Sequence, residues 1–140
     1  MSTTPSTKDG QIFNGHTFSR SYSSDLAMAK RSIVISSPKL NRVERNVMVY
    51  LLSELAHRGL EVLILTTMSN EQTAYLMLRG LSVKIRPDLS LCTTIIDKNI
   101  VWYGAINVLG YTSEEENMIK VTDKNLATDL IEVLFDYDFA

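Results

Sequence analysis

The sequence predicts an α/β fold, a mixed, largely parallel sheet flanked by helices on both faces. Three observations predict it. In the first half, short apolar β-branched runs alternate with stretches of helical spacing, the mark of right-handed parallel crossovers. In the second half the strands follow one another through turns, beginning with a hairpin over 91–107 that reverses at Asp97-Lys98-Asn99; such short connections add antiparallel pairs. The chain has 140 residues, the length of one domain, and buries roughly 70% of its unfolded surface on folding.

Residues 1–12 are expected to form a flexible tail or linker, with the domain proper over 13–140. The opening MSTTPSTKDGQ is small and polar and cannot bury enough apolar surface to offset its ordering entropy. Leu26, Ala27 and Lys30 then sit at helical spacing behind Ser23 or Ser24 as caps, which predicts a helix near 22–31. IVISS (33–37), stopped by Pro38, reads as a buried strand. Val43, Val47, Tyr50, Leu51 and Leu55 make one stripe over 42–58, closed by His57-Arg58-Gly59. LEVLILT (60–66) is a second buried strand. Asn70 caps a helix carrying Ala74, Leu76, Met77 and Leu78, stopped by Gly80. SVKIR (82–86) alternates as a strand with one wetter face and is broken by Pro87. After the hairpin, MIKVT (118–122) is a further strand, and Asp123 caps a last helix, 124–136, with Leu126, Leu130, Ile131 and Leu134 on one face.

Composition excludes several function classes. The net charge of −2 predicts no bulk electrostatic grip on nucleic acid and leaves only a local basic face for that purpose. The single cysteine, Cys92, rules out a disulfide framework and fits a reducing compartment. No apolar run has the length of a membrane span and no signal-peptide pattern opens the chain, so a cytoplasmic location is expected. His16 and His57 are the only histidines, and no His or Cys cluster has metal-ligand spacing; neither metal nor cofactor is expected.

The segment 95–107, IIDKNIVWYGAIN, carries the most specific pattern. An aspartate, six residues, then Gly-x-x-Asn resembles the phospholipase D superfamily, whose signature is His-x-Lys-x-x-x-x-Asp, six residues, then Gly-Ser-x-Asn. The wording is especially similar to the nuclease and helicase-associated branch, as is SEEENMIKV downstream, where that branch has an acidic residue before a strand; Glu115 takes that place, with Glu116 as the alternative. DLAMAKRSIVISSP and RGLEVLIL resemble the family's opening helix and first two strands. The likeness spans roughly residues 13–138 and implies a single phospholipase D-like repeat.

Counting from Asp97 puts the family histidine at Ser90, its lysine at Cys92 and its serine at Ala105, while Asp97, Gly104 and Asn107 match. The resemblance implies a histidine that attacks phosphorus, a lysine and asparagine that hold the phosphate oxygens, and two motif copies, which small members assemble by homodimerising. Here there is one copy. A serine hydroxyl with no base beside it in the sequence is not an activated nucleophile, and without the lysine the clamp has no charge. Losing one oxyanion donor commonly costs about 10²–10³ in rate. The expectation is a vestigial site of Ser90, Cys92, Asp97, Gly104, Ala105, Asn107 and Glu115.

Plainer roles compete at each position. Asp97 suits a tight turn, and Gly104 a close backbone approach. Asn107 serves a phosphate or the loop backbone equally well. Trp102 and Tyr103 alternate along a strand, one facing in and one out. Cys92 without a fixed partner reads as an inert buried thiol. His57 favours a helix C-terminus, and His16 precedes the first helix. Glu114, Glu115 and Glu116 form a charged loop that repels a polyanion. Lys39, Arg42 and Arg45 follow the first predicted strand, at the end where open α/β sheets meet ligands, with Lys30 and Arg31 before it. Lys39, Arg42, Arg45 and Asn107 are therefore the candidates for phosphate or nucleic-acid contact.

Three functions fit: a catalytically degenerate nuclease-like domain that binds nucleic acid or assembles a larger DNA-processing protein; an active phosphodiesterase completed by a partner chain; and a purely structural dimerisation domain. The first is preferred, with homodimerisation and a DNA or other phosphodiester ligand as expected partners.

Overall fold

The computed structural model describes residues 10–110 and 115–136. Seven strands form one sheet: β1 (Gln11–Asn14), β2 (Ser32–Ser36), β3 (Glu61–Thr66), β4 (Ser82–Ile85), β5 (Cys92–Ile96), β6 (Ile100–Gly104) and β7 (Asn117–Thr122), in the order β1-β7-β6-β5-β2-β3-β4. The helices are α1 (Phe18–Ala27), α2 (Val47–His57), α3 (Glu71–Leu78) and α4 (Lys124–Asp136). The sheet is mixed, as expected. Parallel pairing is confined to β2–β3 and β3–β4, and the other four pairs are antiparallel. Less of the sheet is parallel than the sequence led one to expect, because β5 pairs antiparallel with β2 and β5, β6 and β7 then follow as an antiparallel meander.

Alternation along each strand sends apolar side chains to both faces, and helices cover both. Ile33, Ile35, Ile64, Ile96 and Trp102 pack against α1, α2 and α3. Val34, Leu65, Ile95 and Val101 pack against Ala127 and Leu134 of α4. Trp102 and Tyr103 thus do not divide into an inner and an outer residue. Trp102 is fully buried against the rings of Phe13, Phe18 and Tyr22 at centroid distances of 5.0, 5.4 and 5.6 Å, while half-buried Tyr103 packs in the α4 core. Trp102 Nε1–H donates to Asp25 at 3.0 Å, and Lys120 pairs with the same carboxylate at 2.8 Å, so the indole's polar edge is satisfied where it is buried.

Four boundaries depart from the sequence reading. Gln11 and Ile12, assigned to the tail, form half of β1, a short strand made by its pairing with β7. Helix α1 begins four residues early, at Phe18, because Phe18, Tyr22 and Leu26 are its buried stripe. It stops at Ala27, and the N–H groups of Lys30 and Arg31 donate to the Asp97 carboxylate instead of continuing the helix. The 42–58 helix is broken: a 3₁₀ turn over Val43–Arg45 precedes α2, and Asn46, extended, caps α2 by accepting from Met48 N–H at 2.8 Å. That break rotates the stripe. Val49, Leu52 and Leu55 face the core, while Val47 and Tyr50 are 76% and 62% exposed. Among the described residues, no helix is long and apolar enough to cross a membrane.

Candidate functional site

The ladder registers bring the strand ends carrying the motif to one edge of the sheet. Cys92 opens β5 directly across from Gly104, the last residue of β6, and Gly104 lies across from Met118 near the start of β7. Asn14, ending β1, faces Asn117. The loops leaving β2 and β3 emerge at the same edge. Ser90, Cys92, Gly104, Ala105, Asn107 and Glu115 therefore share one end of the sheet with Lys39, Arg42, Arg45 and His16. Glu114 lies outside the described residues.

Asp97 does not join them. It sits beyond the far end of β5, a strand of five residues and hence about 16 Å long. Asp97 and Lys98 have φ of 55° and 54°, and Asn99 N–H donates to Ile96 O at 3.0 Å, a tight turn within the three-residue connection of the β5–β6 hairpin. The Asp97 carboxylate accepts from the backbone N–H groups of Lys30, Arg31 and Ser32 at 3.0, 2.7 and 3.1 Å. Burial pushes this carboxyl up, but the three amides and the Arg31 charge outweigh it and hold Asp97 below the usual carboxylate range. Its role is to fasten the β5–β6 turn to the segment entering β2.

Gly104 is required twice over. Its φ of 152° disfavours a side chain, and a Cβ there would collide with the Asn117 carbonyl oxygen and crowd Met118. Ala105 N–H donates to the same Asn117 oxygen at 2.9 Å, so β6 and β7 close tightly where the motif's glycine falls. Cys92 is 7% exposed. Burial and the Glu116 charge both raise its thiol pKa, which keeps it protonated and makes it a poor nucleophile. Ser90 is exposed in the loop before β5. It lines a hollow of about 190 Å³ with Arg86, Asp88, Leu89, Leu91, Val133 and Leu134, on the α4 side; neither Cys92 nor Asn107 is among its walls.

Asn107 has a definite structural task. Its Oδ1 accepts from Lys39 N–H at 3.0 Å, which leaves both N–H donors of its NH₂ group to a ligand. That bond is one of several tying the 105–110 loop to the segment after β2. Asn41 N–H donates to Leu109 O at 3.0 Å, Leu109 N–H to Ser37 Oγ at 3.4 Å, and Asn46 Nδ2 to Val108 O at 3.3 Å. Gly110 lies so close to the Lys39 carbonyl oxygen that a Cβ would overlap it. The sequence reading did not include Ser37, Asn41 and Asn46; small polar residues flanking a predicted strand end were the available signal.

Two further features were not foreseen. Arg86, 5% exposed, donates from Nη1 to Leu134 O near the end of α4 and lies 3.7 Å from the Asp88 carboxylate. Its side chain braces α4 where the Ser90 hollow forms; an arginine closing a strand before proline was its only trace. Thr66 and Thr67 hydroxyls both donate to Pro38 O, at 3.1 and 2.8 Å, in a hollow of about 240 Å³ that Lys39 and Asn70 also line. A larger hollow, about 460 Å³, lies at the opposite end among Ser32, Leu63, Lys98 and Ile131, away from the motif. Among the described residues, no group of three His, Cys, Asp or Glu is placed to hold a metal ion.

The exposed cations Lys39, Arg42 and Arg45 stand on the loop that Asn107 and its neighbours fasten, so the motif end of the sheet is lined by positive charge on one side. His57 is not part of it: its Nδ1 lies 2.7 Å from Ser53 O within α2.

No family model matches the sequence, and no curated protein matches it. Solved structures do match the fold. Nuc, a phospholipase D family member from Salmonella typhimurium, superposes with a TM-score of 0.75 at 17% identity, over 91% of this chain and 91% of Nuc. NucT from Helicobacter pylori gives 0.70 at 17% identity, over 89% and 91%. TrmBL2, an archaeal chromatin protein with a novel mode of DNA binding, gives 0.66 at 14% identity, over 91% of this chain and 51% of TrmBL2.

Proposed function

The chain has the fold of the phospholipase D superfamily, and on that scaffold we propose a domain that no longer cleaves phosphodiesters and acts as a nucleic-acid-binding or assembly module, one part of a larger DNA-processing protein. One observation carries this reading. The two positions that the resemblance assigns to the nucleophile and to the lysine of the phosphate clamp hold an exposed hydroxyl, Ser90, and a buried thiol kept protonated, Cys92. Covalent attack on phosphorus needs an activated base or anion, and stabilising the crowded oxyanions needs fixed positive charge or donors. Cys92 supplies neither, and Asn107, whose Oδ1 accepts from Lys39 N–H, offers only a neutral NH₂ donor. What the edge retains is a rigid loop bearing Lys39, Arg42 and Arg45, which suits phosphate contacts without chemistry. A DNA-binding protein among the structural neighbours is compatible with that use. The assembly expected is a homodimer through the motif edge, since pairing through that face does not depend on the residues that would cleave.

The test measures hydrolysis of bis(p-nitrophenyl) phosphate in EDTA together with duplex binding across salt and sedimentation velocity. The expected result is no turnover, salt-sensitive binding and a dimer. Turnover in EDTA would overturn the proposal in favour of an active site completed by a partner chain. A dimer indifferent to DNA would leave a purely structural dimerisation domain.

A further inference from the structure

We propose that Arg42 is the principal phosphate-contacting residue of this domain, and that its left-handed backbone is strain retained for that contact; the proposal rests on the nucleic-acid-binding reading above. Arg42 has φ 48° and ψ 45°. Asp97 and Lys98 also have positive φ, but they are the central residues of the tight β5–β6 hairpin turn, where such backbone is ordinary. Arg42 opens a 3₁₀ turn, its carbonyl accepting from Arg45 N–H at 3.0 Å, and at such a position glycine or asparagine fits with less strain.

The surroundings impose the conformation. On one side Lys39 and Asn41 are bonded to Asn107 and Leu109; on the other, Asn46 is bonded to Val108 and Val43 N–H donates to Gln72 Oε1 at 3.0 Å. A backbone held this firmly over-determines the residue between its anchors. Yet the Arg42 side chain contributes nothing to that holding. It is exposed, and among the described residues it makes no hydrogen bond or ion pair. A long cation at a strained position, with no partner in the fold, is explained by what it offers outside. The loop is fixed before any ligand arrives, so a contact through it pays little ordering entropy. Lys39 and Arg45 flank it, and Glu44 is the only acid from Ser37 to Asn46, which favours a polyanion over an acidic side chain. A phosphodiester backbone presents such charge at regular spacing.

Arg42→Asn and Arg42→Lys test this, through melting temperature and binding of a fluorescent duplex oligonucleotide over a salt series. Asparagine suits left-handed backbone without adding glycine's freedom to the unfolded chain. Arg42→Asn should melt at or above the wild-type temperature, bind about eightfold more weakly at 0.1 M salt, and show a log–log salt slope shallower by about 0.9. Arg42→Lys should keep the wild-type slope and melt as the wild type does. A lower melting temperature for Arg42→Asn, or an unchanged slope and affinity, overturns the proposal alone. A wild-type protein without salt-dependent binding overturns the nucleic-acid reading along with it.

Discussion

At Asp97 a match to a catalytic signature turns out to be a structural clamp. Its carboxylate gathers three backbone N–H groups that would otherwise need water at the entrance to β2, as a helix cap gathers those of a first turn. Because the folded carboxyl titrates below its ordinary value of 3.8, its contribution is complete above that pH and is lost as pH falls through the folded pKa. Asp97→Asn keeps the shape and one acceptor but removes the charge, and should cost about 1–2 kcal/mol in urea melts at neutral pH. The gap between variant and wild type should close as the pH falls below about 4. A gap that persists unchanged into acid would show that charge has no part in the clamp. The sequence allowed a turn role for Asp97 but gave no sign of its partners, which lie more than sixty residues away. Cys92 was readable as inert, since one cysteine without a partner rarely reacts; Glu116 as a second reason was a matter of tertiary placement.

Among the elements, capping chemistry was the most readable and helix faces the least. Asn70 was recognised as a cap, and it accepts from Gln72 and Thr73 N–H while Thr73 Oγ1 accepts from Asn70 N–H, a reciprocal box. Asn70→Ala should destabilise by about 1 kcal/mol, with Asn70→Ser recovering most of it; chemical denaturation measures both, and equal stability of all three proteins would refute the box. Asn46 is a cap of the same kind, but it lay inside an apolar pattern that ran on from Val43 to Leu55. Periodicity alone joins two segments that an extended residue separates, so Val47 and Tyr50 of the expected stripe are exposed while Val43, Leu51 and Leu55 reach the core. Strand β1 was missed for the converse reason: four residues next to a polar tail have too little pattern, and pairing with β7 is what makes them a strand.

For the whole molecule, one sheet separates two cores. The larger lies under α1, α2 and α3, the smaller under α4, and every strand from β2 to β7 is hydrogen-bonded on both sides except β4 at the edge. Neither core can lose its floor without exposing the other, so unfolding should be a single cooperative event. The one tryptophan, Trp102, reports on the larger core. Its fluorescence and the far-ultraviolet circular dichroism should trace the same urea transition with the same midpoint. Separate midpoints would mean that α4 leaves first. The same sheet sets the geometry of the motif: antiparallel pairing of β5 with β6 sends Cys92 and Gly104 to one end and Asp97 to the other, so a linear signature of which three positions match, Asp97, Gly104 and Asn107, does not become a single cluster.

Local chemistry was written in the residues: alternating apolar runs for the strands, Asn70 and Asp123 for helix starts, Gly104 for a close approach, and serine and cysteine where a nucleophile and a cation would stand. Each of those depends on a side chain's own size, charge or hydrogen-bonding capacity, and so is readable without neighbours. Tertiary structure decided which strands run parallel, which face of α2 is buried, and that Asn107 spends its oxygen on Lys39 while Arg42 is held left-handed with its guanidinium exposed. Those outcomes are contacts between segments distant in the chain, set by loop closure and packing rather than by any residue's preference.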